Sequence, residues 1–218
     1  MFLHDKKPLH TVKVDRPNPK FAAMLQEQLG GANGELKATM QYISQSFRVQ
    51  DPEIKDMMLD IAAEELSHME MVSMLITQLN GSELQGNQAT VGEVQTHLLT
   101  GLAPGLINAS GHPWTADYVN VTGDLVADLL SDIAAEMRAK VVYEYLYRQI
   151  DDKGVRDTID FLLNREEAHN QLFRKALGKV AQTGSNRDFG VTEDSKLYFN
   201  LSTPGGQPFD LTDIHAPH

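Results

Sequence analysis

Ala63-Glu64-Glu65-Leu66-Ser67-His68 and Arg165-Glu166-Glu167-Ala168-His169 each carry Glu-x-x-His inside a stretch of helical apolar periodicity. Around the first, Ile54, Met58, Ile61, Val72, Ile76 and Leu79 recur at about 100° per residue. Ile159, Leu162, Phe173 and Leu177 do the same around the second. Residues three apart on a helix share a face, so Glu and His fall together within the greasy stripe rather than opposite it. Two helices therefore aim Glu65, His68, Glu166 and His169 at the core.

Two further segments complete the pattern. One runs from about Lys20 to Phe47, with Phe21, Leu25, Leu29, Leu36, Met40, Ile43 and Phe47 in phase. Gly30, Gly31 and Gly34 are costly there, each by about 1 kcal/mol relative to alanine inside a helix, and they predict close backbone approach, a distortion or a break between two helices. The other spans about Gly123–Ile150, with Leu125, Leu129, Tyr143, Tyr147 and Ile150 in phase. Glu35 lies at the flank of the first stripe, in line with Met24 and Tyr42, and Glu136 lies on the inner face of the other. Each of four helices thus offers an inward carboxylate.

Boundaries agree with this reading. Asp51-Pro52-Glu53 is an N-cap followed by a first-turn proline, and Asn80-Gly81 is a stop. The last long segment covers about Lys153–Leu177. Residues 82–121, rich in Gly, Asn, Thr and Pro, predict a long crossover with one short helix near Val91–Leu99. Residues 1–19 hold three prolines and predict an extended arm outside the core, while the chain beyond Gly184 shows no period of either kind. The expected organisation is all-α: a four-helix bundle with an N-terminal arm over 1–183, and a tail over 184–218 that frays or wraps a neighbouring subunit.

Glu35 and Glu136, Glu65 and Glu166, and His68 and His169 are each separated by the same 101 residues. At that shift Asp51 meets Asp152, Lys55 meets Arg156, Lys37 meets Arg138 and Tyr42 meets Tyr143, without a gap. The chain reads as an internal duplication. A pseudo-twofold axis between the two helix pairs would bring both sets to one centre.

Four buried carboxylates cannot be tolerated unneutralised by a fold stable by only about 5–15 kcal/mol. Among basic residues only Lys140 falls near the phase of these stripes, so a pair of divalent metal ions is expected. With no cysteine in 218 residues, disulfides, thiolate-bound zinc, iron-sulfur clusters and thiol nucleophiles are excluded, and any metal must take oxygen and nitrogen donors. A formal net charge of −11 without a basic cluster speaks against nucleic acid and anionic lipid. No signal peptide or membrane span is legible, which predicts a cytoplasmic protein. Glu64, Glu70, Glu144 and Glu167 fall off the inner stripe and are expected in solvent; Asp132, one turn before Glu136, is expected either to orient a histidine or to fill space at the bundle end.

Oxygen and nitrogen donors without sulfur suit manganese or non-haem iron, and spacing leaves that choice open. Iron would serve a ferroxidase or an oxygen-activating oxidase; manganese would serve two-electron peroxide chemistry. Paired Glu-x-x-His on facing helices is the known arrangement of di-iron and di-manganese carboxylate proteins, so the pattern is recognised rather than new.

Glu27-Gln28-Leu29-Gly30-Gly31-Ala32-Asn33-Gly34-Glu35-Leu36, the two Glu-x-x-His runs, Pro113-Trp114-Thr115-Ala116 and the opening Pro17-Asn18-Pro19 resemble the manganese catalases, over nearly the whole chain. The resemblance implies a ferritin-like bundle that disproportionates hydrogen peroxide to water and dioxygen by cycling a manganese pair. It implies Glu35, Glu65 and His68 on one manganese, Glu136 and His169 on the second, and Glu65 bridging both. It makes Glu166 the base that shuttles peroxide protons, and Tyr42 a phenol standing just outside the ligands. Some members place an arginine immediately before the third-helix glutamate, where this chain has Ala135. The resemblance further implies a homo-hexamer and a structural calcium between subunits, matched by Asp56, Asp60, Asn200 and Ser202, although the next position of that pattern is Pro204. Rival readings are a di-iron enzyme and a non-enzymatic coat or assembly protein on the same fold.

Overall fold

Asn18 opens the first helix: its side chain accepts from the backbone N–H groups of Lys20 and Phe21, and Pro19 takes the first position, where an N–H would have no partner. The computed structural model describes residues 4–81, 101–183, 193–202 and 208–210. Helix α1 runs Pro19–Gly30 and α2 runs Glu35–Ser46, so the segment over 20–47 is two helices. A Cβ on Gly30 would stand 2.4 Å from the carbonyl oxygen of Ile107, which places crossover backbone hard against the end of α1. Gly31 and Gly34 are extended, ending one helix and leading into the next. In the second half the equivalent positions hold Ser131, Asp132 and Ala135, and there the helix continues unbroken.

Helix α3 spans Pro52–Asn80, α4 spans Leu125–Gln149 and α5 spans Lys153–Thr183. Asp51 caps α3 by accepting from Glu53 and Ile54 N–H at 3.0 and 3.1 Å, and Gly81 closes it at φ 66°, where glycine has no Cβ to clash. Asp124 caps α4 in the same way. The helices α1 and α2, end to end, pack along α3, and α4 packs along α5; contacts of α3 with α5 and of α1 and α2 with α4 close the bundle.

Apolar packing falls into two clusters. Phe21, Leu25, Leu29, Met71, Leu75 and Leu162 fill one, and Met58, Ile61, Leu129, Ile133 and Phe173 fill the other. Glu65 and His68 lie between Ile61 and Met71 on α3, and Glu166 and His169 between Leu162 and Phe173 on α5. The polar centre therefore sits at the seam of the two greasy halves.

The arm is more than an appendage. Val12 is buried in the first cluster, and the backbone N–H groups of Asp15 and Arg16 donate to Asp152 Oδ2 at 2.9 and 3.3 Å while Asp15 accepts from Lys153 N–H at 3.1 Å. The expectation of an arm outside the core fails from Val12 onward, because Val12 and Val14, the two apolar side chains that pack on the cluster, are too few to show a period. Within the crossover, the Gln26 amide donates to the carbonyls of Gly105 and Ile107 at 2.8 and 2.9 Å. A one-turn 3-10 helix covers Ala116–Tyr118; the short helix expected near Val91–Leu99 lies outside the described residues.

The chain divides into two compact units, Met1–Gly184 and Ser185–His218. In the second, a 3-10 turn over Glu193–Lys196 precedes a strand, β1, at Leu197–Tyr198 that pairs antiparallel with β2 at Phe209–Asp210. Strands of two residues are too short to show alternation, which is why the sequence predicts none. Among the described residues no helix is long and apolar enough to cross a membrane.

Candidate metal centre

Glu35, Glu65, His68, Glu136, Glu166 and His169 are all at most 2% exposed. Their donor atoms gather in two adjoining groups, each within 4.8 Å: Glu35, Glu65, His68 and Glu166 in one, and Glu65, Glu136, Glu166 and His169 in the other. Glu65 and Glu166 offer oxygens to both.

The histidines set the orientation. His68 Nδ1 lies 3.1 Å from Glu65 Oε2, 3.5 Å from Glu166 Oε1 and 3.6 Å from Glu35 Oε2. His169 Nδ1 lies 2.8 Å from Glu65 Oε1 and 3.6 Å from Glu136 Oε2. Both rings turn Nδ1 to the carboxylates and Nε2 away. Each Nε2 then meets Glu64, His68 at 3.4 Å and His169 at 3.2 Å. Arg165 holds that carboxylate by donating from Nε to Oε1 at 2.6 Å and from Nη2 to Oε2 at 3.4 Å.

Glu64 is thus not the solvated residue its helical phase predicts. It stands off the inner stripe, but His68 follows at i+4 on α3, and α5 packs against the same edge. Its outer side borders a cavity of about 460 Å³ walled by His4, Asp5, Lys7 and Leu9 of the arm. The sequence held one signal for it, since at the 101-residue shift Glu64 meets Arg165, an acid opposite a base.

The phenols also cross over. Tyr42 donates to Glu136 Oε1, and its counterpart Tyr143 donates to Glu35 Oε1. Tyr143 counts as an apolar stripe residue in the sequence; only its equivalence to Tyr42 hinted at more.

Burial dominates the electrostatics. It raises Glu35 to about 8, with the Glu65 charge adding to the effect, and lifts Glu166 well above the carboxylate range, with Glu65, Glu35 and Glu136 reinforcing it. Burial opposes charge on Glu65 as well, but the two imidazoles outweigh it and hold that carboxyl low. On the histidines burial acts downward and the carboxylates win, Glu65 foremost: His68 is raised well above the usual imidazole value and His169 to about 12. Buried Tyr42 and Tyr143 stay protonated donors for the same reasons of burial and neighbouring negative charge.

Glu65 Oε1, Glu136 Oε2, Glu166 Oε1, His169 Nδ1 and the Nε2 atoms of His68 and His169 lack a well-aligned hydrogen-bond partner although fully buried. Such atoms are rare in folded proteins, and here the three carboxylate oxygens and His169 Nδ1 face one centre. Divalent cations satisfy them and neutralise the excess of carboxylates, so the residues fit a metal pair of oxygen and nitrogen donors.

Other sequence readings need correction. Asp132 accepts from the Gln41 amide at 2.7 Å rather than orienting a histidine, and burial raises its carboxyl to about 7. Lys37, rather than Lys140, is the buried cation: burial pushes its amine down to about 8. Its inward phase belongs to the short helix α2 and not to a continuous helix over 20–47. Arg138 turns to Asn33 at 3.0 Å and Lys140 to Glu167 at 2.8 Å, so each meets a partner other than Glu166, and Ala135 is buried. Asp56 and Asp60 are exposed on α3; in the tail unit Ser202 Oγ donates to Asn200 Oδ1 at 3.2 Å.

Residues 1–207 match the family described as manganese-containing catalase. The chain belongs to that family. A probable manganese catalase of Clostridium acetobutylicum is 68% identical over 207 residues, covering 94% of this chain and 92% of the relative. Among solved structures, the manganese catalase KatB from Anabaena matches with a TM-score of 0.82 and 40% identity, covering 100% of this chain and 94% of that one. A dodecameric thioferritin from Bacteroides fragilis, at TM-score 0.51 and 18% identity over 77% of this chain and 87% of that one, shares the ferritin-like fold. The manganese catalases disproportionate hydrogen peroxide to water and dioxygen, and this chain is an enzyme of that activity. Family membership selects manganese where the donor set alone admitted iron.

Proposed function

We propose that the buried centre holds two manganese ions, Glu35, Glu65 and His68 on one and Glu136 and His169 on the other, with Glu65 bridging and Glu166 as the proton-carrying base. The observation that supports this reading is the convergence of six buried donors, several without hydrogen-bond partners, on two groups that share Glu65 and Glu166. Manganese bound there supplies the redox couple that gives two electrons to one peroxide and takes two from the next.

The chain's own residues do the rest. Oxidising peroxide to dioxygen releases two protons, and reducing peroxide to two waters consumes two. Glu166 is buried beside both groups, offers an oxygen to each, and favours the protonated form through burial, which suits it to hold a proton between the half-reactions. Tyr42 and Tyr143 would keep Glu136 and Glu35 in place for the metal by donating to Oε1 of each carboxylate. The apolar clusters on either side keep bulk water out.

Metal analysis with an oxygen electrode tests this. About two manganese per chain and dioxygen release from peroxide, insensitive to haem poisons, are expected; iron with oxygen-dependent turnover would replace the reading with a di-iron one. The reading extends to a cytoplasmic homo-hexamer whose 184–218 tails clasp neighbouring subunits. Asp56, Asp60, Asn200 and Ser202 then hold one calcium between subunits. Sedimentation with and without a calcium chelator is the corresponding experiment, and a chelator-insensitive monomer is the contrary result.

A further inference from the structure

Glu64 is one carboxylate placed against two imidazoles. Its Oε1 lies 3.4 Å from His68 Nε2 and its Oε2 lies 3.2 Å from His169 Nε2, within ion-pair reach of both rings, although neither Nε2 finds a well-aligned hydrogen-bond acceptor. Arg165, from the facing helix, grips both oxygens. The pair breaks the duplication, because the two halves contribute opposite charges at the equivalent position. A symmetric chain would have two acids or two bases there, and neither could form this bridge.

We infer that Glu64 is a positioning residue that couples the two metal positions: the histidine of each half is oriented by the same carboxylate, so fixing one ring fixes the acceptor for the other. A ligating histidine needs its far nitrogen held, and a charged acceptor raises its basicity toward the metal. A rotation of Glu64 toward one ring moves it away from the other, and the Arg165 fork holds it between them. With one ring fixed, Glu64 is held where the other histidine meets it. This inference rests on the dinuclear reading above.

Glu64→Gln separates the two oxygens chemically, since an amide oxygen still accepts from one imidazole while its NH2 group confronts the N–H of the other. Calorimetric titration of the metal-depleted chain with Mn(II), joined to electron paramagnetic resonance, reads the result without turnover. Wild type should load two ions together and give a spin-coupled spectrum from the first additions. Glu64→Gln should bind the second ion about 10- to 100-fold more weakly than the first and show an isolated-ion spectrum at one equivalent. Arg165→Met, which keeps the carboxylate and removes its anchor, should weaken coupling in the same direction, and it carries the test should Glu64→Gln fail to fold. Two ions bound with wild-type coupling in the folded variants would overturn the inference, whereas a wild-type chain that takes up no Mn(II) would overturn the dinuclear reading instead.

Discussion

His68 and His169 stack across the bundle centre, ring centroids 5.5 Å apart and planes inclined by 18°, although 101 residues separate them in the chain. They hold equivalent positions in the two Glu-x-x-His runs. Each turns Nδ1 to a different end of Glu65, so removing one ring should vacate one metal position and leave the other donors standing. His169→Ala is expected to retain helicity, to lose about one manganese per chain and to lose nearly all dioxygen release. Full activity in that variant would remove His169 from the centre.

Glu166 differs from Glu65 in what surrounds it. Glu65 faces both imidazoles and stays charged, whereas Glu166 meets His68 alone beside three other carboxylates and is pushed toward the neutral form by burial. Glu166→Gln should therefore keep both ions and slow turnover by about 10²- to 10⁴-fold, the range of general acid-base catalysis. Loss of one ion instead would make Glu166 a ligand.

Metal uptake should release protons. Without metal, Glu35 keeps its proton up to about pH 8 and His169 up to about pH 12, while a ligand must be carboxylate or neutral imidazole. Protons and Mn(II) then compete, and affinity should climb as pH rises from 6 to 8. Calorimetry in buffers of different ionisation heat counts the protons; binding enthalpy independent of buffer would contradict the assignment.

Asp132 gives a second pH signature. Its folded pKa of about 7 exceeds the ordinary 3.8, so between these values the folded chain holds a proton that the unfolded chain has lost. Stability contributed by this group is therefore greatest at low pH and declines as pH rises, at up to about 1.4 kcal/mol per pH unit, levelling off above 7. Asp132→Asn cannot lose that proton. In urea unfolding of the metal-depleted chains, the variant should gain on wild type from pH 5 to 7, and parallel curves would count against it.

Gly30 reverses the usual helix rule. Replacing an interior helical glycine with alanine ordinarily stabilises by about 0.5–1 kcal/mol. Here the added methyl would meet the Ile107 backbone at 2.4 to 2.6 Å, and backbone cannot rotate aside. Gly30→Ala should destabilise by about 1–3 kcal/mol, as overpacking does, and a raised melting temperature would contradict the contact.

Much of this was legible in one dimension. Helical period and caps locate α3, α4 and α5, and Glu-x-x-His within an apolar stripe locates the inner donors, because burial of i and i+3 is a property of one helix. The equal 101-residue spacing ties the halves together. Less legible were the break at Gly30 to Gly34, which needs the crossover backbone to explain it, and buried Lys37, whose phase follows from that break.

The sequence alone determined the four-helix layout, the duplication and the six inward donors, since each follows from local periodicity and from the cost of burying charge. Only the tertiary structure decided which oxygen meets which nitrogen: that Tyr143 crosses to Glu35, that Asp132 belongs to Gln41, and that Glu64 stands between both histidines in the grip of Arg165. Those contacts join different helices, and their partners are set by how the helices are rotated and spaced against each other. No period along a single helix encodes that.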